Sequence, residues 1–504
     1  MKNVVNALRK SSPKHNAYAT ADTVNAEGAK AWTPSTATLV QQLSMTGTLG
    51  NTFYASSQKL VENAVEVFQK ANPQDLADAI VKGRNEGFIR AANILGLVVL
   101  SQRSSILFQK VFNDVVITGN DLEDFVNLAR STRGIGRSVC KAIHGWINTK
   151  LSSFYALRYG KQVADAARIS HYPGKSNCLV QYCMARYNEK ADTKTAEKKH
   201  PQLKAYAKAI KALEAKKYDK LKEIIVEHKL DVMSIVGHGD IDDEVWEAFA
   251  EVMPVMQTLK HLNKLDRSGA LLSLDQLDVV MKKITVENLQ KARVFPFRLY
   301  IAWLNVTNSA IRNHLADVLD TYLDVYDWSA FDKAGTWAIC PDVSGSMTGA
   351  VSGSSLTPNI VSGLFSGFFY RGLKHAEVYP WADRLGIYDE PKRDSVITHV
   401  NNLVKAGGGG TNMGIALAYF RQQGKSFDNL LFITDSEEFN RCQWFDEWKK
   451  YRSFVNKKAR AFLIRVDSNN TNPFDEKDAV KNGIHQVYGW SDNVIKYIEF
   501  ALSK

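Results

Sequence analysis

Near residue 333 the hydrophobic pattern of this chain of 504 residues changes from one periodicity to another. Before that point apolar residues recur every three or four positions, for example at Leu60, Ala64 and Phe68, which predicts amphipathic helices. After it, short apolar runs alternate with helical segments, which predicts a doubly wound parallel sheet with helices on both faces. The chain is too long for one ordinary core, so we place a domain boundary at this change.

The part before residue 333 has the pattern of many short helices joined by polar turns. Cap signals precede several of them, such as Asn72 and Ser273. A series of this kind is typical of a helical-repeat solenoid, in which each helix pair buries its apolar face on the next. We expect a loosely held extension at 1–34, a helical-repeat domain at 35–332 and an α/β domain at 333–504. The apolar run 91–100 is far shorter than the roughly 20 residues a bilayer needs, so a buried helix is predicted there and no membrane contact.

The part after residue 333 divides into alternating elements. The predicted strands are 337–340, 376–381, 396–400, 430–434, 461–466 and 485–488, and the predicted helices are 358–373, 413–423, 445–457 and 492–502. Pro341 follows the first of these strands and has no backbone N–H to donate to a ladder. We therefore expect it at the last position of that strand.

Polar side chains follow three of these segments at what should be one edge of the sheet. They are Asp342, Ser344 and Ser346 after the first strand, Thr411 after the glycine run 407–410, and Asp435 at the end of 430–434. Parallel sheets bind ligands at the carboxyl ends of their strands. Hydroxyl and carboxylate oxygens without His or Cys suit a hard divalent cation, with Mg²⁺ as the expected ion.

Positive charge is concentrated in one segment of the helical part. The formal net charge is +11, and residues 130–175 carry nine Lys or Arg residues against the single Asp165. A solvated helix face normally mixes both signs, whereas a one-signed concentration is the electrostatic footprint of a polyanion. Arg133, Arg137 and Lys141 stand four apart and are expected on one helix face. Ion pairs with the acids at 121–124 are an equally good interpretation of these three.

The residues of the sheet edge resemble a known metal site. Asp342, Ser344 and Ser346 in a DxSxS pattern, with Thr411 and Asp435, look like the metal-ion-dependent adhesion site (MIDAS) of von Willebrand factor A (vWA) domains. The resemblance covers residues 333–504. It implies that all five residues ligate the metal, the last two directly or through water, and that an acidic group of a partner completes the shell. A vWA fold with an empty site is the alternative.

The helical part resembles the TROVE domain. The segment 130–146 is similar to the Arg-x-x-Arg-Gly-x-Gly-Arg…Lys-Ala-Ile…Trp block of that domain, and further matches occur at 50–54, 168–171, 262–265 and 295–297. A TROVE domain followed by a vWA domain is the organisation of the Ro autoantigen family. The chain is identified by this resemblance as a member of that family.

The resemblance implies a ring of HEAT-like helical repeats, formed by one chain and closed by the vWA domain. Small noncoding Y-like RNA would bind the outer surface, and single-stranded 3′ ends of misfolded RNAs would enter the cavity. Arg158 and Lys161 would belong to a basic helix facing the RNA, and His171 to a contact segment, although a lone His is more often a packing residue. An exoribonuclease is a further candidate partner.

Enzymatic interpretations find little support in the sequence. There is no Gly-x-Ser-x-Gly elbow, and a nuclease with two metals would need more carboxylates than Asp342 and Asp435. Cys140 and His144 stand four apart, where packing is the simpler explanation. The scattered cysteines and the absence of an apolar leader favour the cytoplasm. The sequence thus predicts a noncatalytic RNA-binding ring protein of RNA quality control or of a ribonucleoprotein scaffold, the alternative being a protein-binding vWA adaptor whose helical half docks protein partners.

Overall fold

The fold is taken from a computed structural model of the chain. It describes residues 21–503 except 48, 50–55, 174–176, 186, 188–190, 240, 295, 350–355, 440–442, 467–470 and 490–492. The matches at 50–54 and at Phe295, as well as the predicted helix start at Asp492, lie outside the described residues.

The part of the chain before residue 334 is built mainly of helices. They are α1 (Thr36–Thr46), α2 (Ser57–Lys70), α3 (Pro73–Asn85), α4 (Ala91–Arg103), α5 (Ser105–Val115), α6 (Gly119–Thr132), α7 (Arg137–Lys150), α8 (Ser153–Ile169), α9 (Cys178–Met184), α10 (Lys194–Lys199), α11 (Pro201–Glu214), α12 (Tyr218–His228), α13 (Val232–Ile235), α14 (Val245–Val252), α15 (Val255–Arg267), α16 (Leu274–Lys283), α17 (Val286–Lys291), α18 (Pro296–Asn305), α19 (Ser309–Asp324) and α20 (Ser329–Lys333).

Local sequence explains where many of these helices begin. The side chains of Asn72 and Ser273 accept hydrogen bonds from backbone N–H groups of α3 and α16, as the cap signals predicted. Thr118 and Asp121 form a reciprocal capping box at the start of α6. The predicted buried helix at 91–100 is α4, whose apolar residues are almost all buried. Among the described residues, no helix is both long enough and apolar enough to cross a membrane.

The helices stack in two layers along the chain. In the first half, α3 contacts α5, α4 contacts α6, and α6 contacts α8, so that each helix packs on its second neighbour. A cluster of three rings at the centre, formed by Phe108, Phe112 and Phe125, has centroids 5.0–5.6 Å apart. This arrangement confirms the predicted helical-repeat architecture.

The second part is a five-stranded parallel sheet. Its strands are β3 (Trp337–Pro341), β4 (Ala376–Val378), β5 (Asn429–Thr434), β6 (Arg460–Arg465) and β7 (Ile484–Tyr488), in the order β4-β3-β5-β6-β7. Its helices are α21 (Pro358–Gly372), α22 (Val396–Lys405), α23 (Ile415–Gln423), α24 (Trp444–Phe454), α25 (Glu476–Ala479) and α26 (Asn493–Leu502). Trp337 and Ile339 share a core with α21, α22 and α26, whereas Ala338 and Cys340 share one with α23 and α24. The sheet is therefore covered on both faces, as predicted.

One predicted strand is wrong. Residues 396–400 form the first half of α22, where Ser395 accepts a hydrogen bond from the backbone N–H of Ile397. Val396, Val400 and Leu403 are buried at helical spacing, which a short apolar window cannot distinguish from a buried strand. Pro341 is the last residue of β3, as expected, and stays in register with Ile433 of β5.

The N-terminal extension differs from its prediction. Residues 21–34 are not loosely held, because β1 (Thr23–Val24) and β2 (Lys30–Ala31) form a small antiparallel pair against the vWA-like part. The backbones of Trp32 and Asn472 exchange two hydrogen bonds of 3.0 and 2.9 Å, and the Trp32 ring packs edge-on against Phe445 at 5.6 Å. Residues 1–20 lie outside the described part.

The first and last elements of the chain meet. Helix α1 contacts β7, and the Asn493 side chain donates a hydrogen bond to the carbonyl of Glu86 at 2.9 Å. At the other end of the helical series, α19 and α20 contact α21, α22 and α26. The α/β part therefore joins both ends of the helices and closes the chain into a ring.

Candidate functional site

Three segments are held together at the carboxyl edge of the sheet by backbone hydrogen bonds. The N–H of Gly345 donates to the carbonyl of Gly409 at 3.0 Å, and that of Gly408 donates to Val343 at 2.8 Å. The carbonyl of Thr411 accepts from Phe439, four residues after Asp435, at 2.7 Å. The loop after β3, the glycine run and the loop after β5 thus meet at one place, as the sequence predicted.

The five predicted ligand residues are buried there. The side chains of Asp342, Ser344, Ser346, Thr411 and Asp435 have between 0% and 7% of their surface exposed. Asp342 accepts hydrogen bonds from the Ser344 backbone N–H at 2.9 Å and from Thr434 Oγ1 at 2.6 Å. The hydroxyls of Ser344 and Ser346 are 3.2 Å apart. Thr434 supports Asp342 from the end of β5, a role that the ligand pattern in the sequence does not indicate.

Glycine is required in the run between these segments. Gly409 has φ +92°, a left-handed conformation that residues with side chains rarely adopt. A Cβ atom on Gly410 would lie 2.0 Å from the ring of Phe439. The run therefore lets the backbone approach the loop after β5 so closely that Thr411 reaches the same edge.

The electrostatics of the edge fit a cation. Burial raises the pKa of Asp342 to about 6, and burial together with the nearby Asp342 raises the pKa of Asp435 well above its usual value. No Lys or Arg of the described chain forms an ion pair with Asp342. Among the described residues no three His, Cys, Asp or Glu side chains cluster as metal ligands, so hydroxyls would complete the set. Two buried carboxylates beside hydroxyls form a donor set that suits a hard divalent ion.

We call the basic residues around the end of α6 and the start of α7, with Lys161 in the middle of α8, the basic face. Arg133 caps the C-terminus of α6 and Arg137 opens α7, with Gly134 at φ +78° between them. The expectation of one shared helix face is therefore wrong for Arg133, because the glycines break the helix. It holds for Arg137 and Lys141, which are one turn apart on α7 and both exposed.

The charges of this face are not neutralised within the described chain. Arg133, Arg137, Lys141 and Lys161 form no ion pair among the described residues. The nearby acids are held elsewhere: Asp121 pairs with Arg84 and Arg90 at 2.8 Å each, and Asp124 pairs with Arg90. The alternative interpretation, ion pairs between the basic segment and the acids at 121–124, is therefore wrong.

His171 lies at the edge of this face. It follows α8 with φ +52° and an exposed side chain, and its N–H donates to the carbonyl of Arg168 at 3.2 Å. His144 of α7 contacts the carbonyl of Ser170 at 2.9 Å. This contact ties α7 to the turn that carries His171. The His171 side chain is exposed on that turn.

Two further arginines line a groove in the same face. Arg130 and Arg168, with Ile135, Asp165 and Ile169, surround a groove of about 470 Å³ between the ends of α6 and α8. The Asp165 carboxylate lies 3.9 Å from the Arg168 guanidinium, at the outer limit of an ion pair. The concentration of charge over 130–175 was the signal for these two residues, but only the fold brings them together.

Arg158 is engaged elsewhere. Its Nη1 donates to both carboxylate oxygens of Asp231 at 2.9 Å, and its Nε donates to the hydroxyl of Tyr159 at 3.1 Å. Asp231 lies 73 positions later and also accepts from Gln257. The structure therefore separates Arg158 from the unpaired cations around α7.

Cys140 and His144 do not form a thiol and base pair. The Sγ of Cys140 faces the carbonyl of Ile135 at 4.0 Å, and His144 faces Ser170. The first is a packing contact and the second a hydrogen bond, and neither pairs the thiol with the imidazole.

Comparison with known proteins supports the same architecture. The family described as "TROVE domain" matches residues 240–319, and that described as "Ro60 vWA domain" matches 337–500. The chain is 23% identical over 447 residues to the RNA-binding protein RO60 of Deinococcus radiodurans, covering 82% of this chain and 83% of that protein. It is 24% identical to the RNA-binding protein RO60 of Caenorhabditis elegans, covering 75% of this chain and 67% of that protein.

The chain thus combines a match to the TROVE domain with a match to the Ro60 vWA domain. The crystal structure of the Deinococcus radiodurans Ro protein has the same fold, with a TM-score of 0.64 and 17% identity, covering 93% of this chain and 99% of that one. All five predicted ligands lie within the range matched by the Ro60 vWA domain. The basic face at 130–171 lies before both matched ranges, so its assignment depends on the contacts described above.

Proposed function

We propose that this Ro family protein binds RNA without catalysing a reaction on it, as a ring formed by one chain in the cytoplasm. The observation that carries the proposal is the unpaired basic face of Arg133, Arg137, Lys141 and Lys161, which no carboxylate of the described chain neutralises. The names of its relatives, both RNA-binding proteins, support the same conclusion.

Phosphate is the ligand that this face suits best. Exposed cations of one sign repel one another, and that repulsion is relieved when phosphates bind and release their counterions. Arg137 also opens α7, whose N-terminus has no side-chain cap and carries partial positive charge. An anion bound here would accept hydrogen bonds from the free N–H groups of the helix terminus and pair with the Arg137 guanidinium.

The RNA we propose has a structured part and a single-stranded 3′ end. Structured RNA is bound mainly through its shape and backbone, which matches a face rich in Arg and Lys. Small noncoding Y-like RNA is the proposed ligand of the outer face, with His171 at its border. Misfolded RNAs with single-stranded ends, and an exoribonuclease acting on them, are the proposed partners in RNA quality control.

The sheet edge is proposed to hold a divalent cation, with Mg²⁺ as the expected ion. Asp342, Ser344, Ser346, Thr411 and Asp435 would hold it, and when bound it would offer a coordination position to an acidic group of a partner. Thr434 keeps the Asp342 carboxylate oriented toward the hydroxyls at this edge.

A gel-shift titration with a structured small RNA carrying a single-stranded 3′ tail tests the proposal. The triple variant Arg133→Gln, Arg137→Gln, Lys141→Gln should bind at least about tenfold more weakly, because each substitution removes a phosphate contact. Each lost contact should also lower the salt dependence of the affinity. The matched control is Lys70→Gln, Lys282→Gln, Lys291→Gln, which removes the same charge from exposed lysines that already pair with acids. Equal affinity of both variants would overturn the proposed face, and no RNA binding at low salt would favour the protein-binding adaptor.

A further inference from the structure

A pocket of about 400 Å³ lies where the first and last elements of the chain meet. One wall comes from α1 and α3, and the other from β7 and α26. We call it the closure pocket, because the ring closes across it. Small-molecule sites have volumes of about 300–1,000 Å³, so a small ligand fits this space. None of its described lining residues belongs to the basic face or to the five predicted metal ligands.

Aromatic and aliphatic side chains form the apolar part of the closure pocket. Tyr497 and Phe500 of α26 line it, with 40% and 57% of their surface exposed. Met45 of α1 and Val487 of β7 also line it, and both are buried. Exposed aromatic side chains on the wall of a pocket offer a face on which a planar ring can stack.

Two lysines stand on opposite walls of the closure pocket. Lys82 belongs to α3 and Lys496 to α26, and both side chains are exposed. Neither forms an ion pair within the described part of the chain. Glu86 is the single acid among the described residues of the lining, so the pocket carries an excess of positive charge.

A third cation lies behind the wall formed by β7. The Arg465 side chain is fully buried, and its Nη1 donates to Asn472 Oδ1 at 2.6 Å. Gln486 of the pocket wall donates to the same oxygen at 3.1 Å, and Tyr488 of that wall donates to Gln486 at 2.6 Å. The Nε and Nη2 of Arg465 have no hydrogen-bond partner in the described chain, and Glu476, which accepts from Asn472, forms no ion pair with Arg465 there. A buried guanidinium without a carboxylate partner makes the potential at this wall more positive.

We propose that the closure pocket binds a free nucleoside 5′-phosphate. The phosphate would lie between Lys82 and Lys496, and the base would stack on Tyr497 or Phe500. A phosphate with two negative charges suits paired cations better than a carboxylate with one. The amide of Gln41, which also lines the pocket, suits the polar edge of a base.

Such a ligand would join the two ends of the chain. It would contact α1 and α3 at the start of the helical series and β7 and α26 at the end of the sheet. The hydrogen bond between Asn493 and the Glu86 carbonyl already joins these elements at the same place. A ligand that binds both walls stabilises the closed ring relative to an open one. The inference does not depend on RNA binding.

Isothermal titration calorimetry of the full chain with AMP tests the inference, with EDTA present to keep divalent metal from the sheet edge. The wild type should bind AMP, and it should bind adenosine and inorganic phosphate at least about tenfold more weakly, since each lacks half of the ligand. The double variant Lys82→Gln, Lys496→Gln should bind AMP at least about tenfold more weakly than the wild type. Tyr497→Ala, which keeps both lysines, should also weaken the binding of AMP.

Lys204→Gln, Lys208→Gln is the matched control. Both lysines are exposed on α11, and neither forms an ion pair in the part of the chain that the structure describes. This variant, and the triple variant of the basic face, should bind AMP as the wild type does. AMP should also slow the hydrogen exchange of backbone amides in α1 and α26.

Three results would overturn the assignment of the closure pocket: no heat of binding at millimolar AMP, equal AMP affinity in the wild type and the double variant, or benzoate bound as tightly as AMP. Unchanged hydrogen exchange in α1 and α26 would overturn its role in closure. None of these results alters the gel shift with RNA, so the proposed function stands or fails separately. Thermal unfolding without AMP identifies any variant that does not fold, and Tyr497→Ala then provides the independent test.

Discussion

The side-chain amide of Asn25 donates a hydrogen bond to the backbone carbonyl of Glu438 at 2.7 Å, joining residues 413 positions apart. The Oδ1 of Asn25 accepts from Ala29, and the N–H of Ala26 donates to Glu437 at 2.7 Å. The N-terminal strand pair is therefore fastened to the loop that follows Asp435. We expect this contact to stabilise both the ring closure and the sheet edge.

Asn25→Ala should destabilise the protein by about 1–3 kcal/mol, because it leaves a buried carbonyl and a buried N–H without partners. Thermal or urea unfolding measures the loss, and limited proteolysis should show earlier cleavage near the N-terminus. Lys30→Ala, at an exposed position of β2, is the control and should change stability little. Equal stability of both variants would mean that the strand pair does not contribute to closure.

Mg²⁺ should raise the unfolding temperature of the wild type but not that of Asp342→Ala. A ligand at about 100 times its Kd stabilises a protein by about 2.7 kcal/mol. Asp342→Asn, which keeps the shape of the side chain, should lose the response as well. Differential scanning fluorimetry with and without Mg²⁺ measures it, and an equal response in all three proteins would contradict the metal assignment.

The Mg²⁺ response should also depend on pH. The pKa of Asp342 is raised to about 6 by burial, so below that pH a proton competes with the metal for the carboxylate. The stabilisation by Mg²⁺ should therefore grow as the pH rises from 5 to 7. A response that is flat across this window would place the ion elsewhere.

Glu438→Gln should make stability less dependent on pH. Burial raises the pKa of Glu438 to about 8 from 4.5, so the folded state keeps a proton that the unfolded state has lost between these values. Stability then falls as pH rises through this window, by at most about 1.4 kcal/mol per pH unit. In urea unfolding at pH 5, 6.5 and 8, the free energy of unfolding of the variant should rise relative to that of the wild type as the pH approaches 8. Glu247→Gln, at an exposed position of α14, should not show this trend.

The sheet edge could be predicted from sequence because its residues follow a fixed pattern at the ends of strands. Asp342 and Asp435 come from separate segments, yet parallel strands bring their carboxyl ends to one edge whatever the loops do. Thr411 follows helix α22 instead of a strand, and the glycine run brings it to the same edge. The strand predicted at 396–400 was wrong because an apolar run of five residues fits a buried strand and a buried helix equally well.

The ion pairs could not be predicted, since they depend on contacts between distant segments. Arg158 was grouped with the basic face, but the fold places Asp231 beside it. The acids at 121 and 124 were the expected partners of the basic segment. They form ion pairs with Arg84 and Arg90 instead, which precede α6 in the chain. Which charges remain unpaired is a property of the packed helices, and it decides where an anion can bind.

The most direct test of RNA binding is the affinity of the wild-type protein for a structured small RNA with a single-stranded 3′ tail, measured from about 50 to 200 mM salt. A face that neutralises several phosphates predicts tight binding at low salt and a log K that falls linearly with log salt, by at least about tenfold over this range. Weak binding at low salt, or an affinity that does not change with salt, would contradict the account.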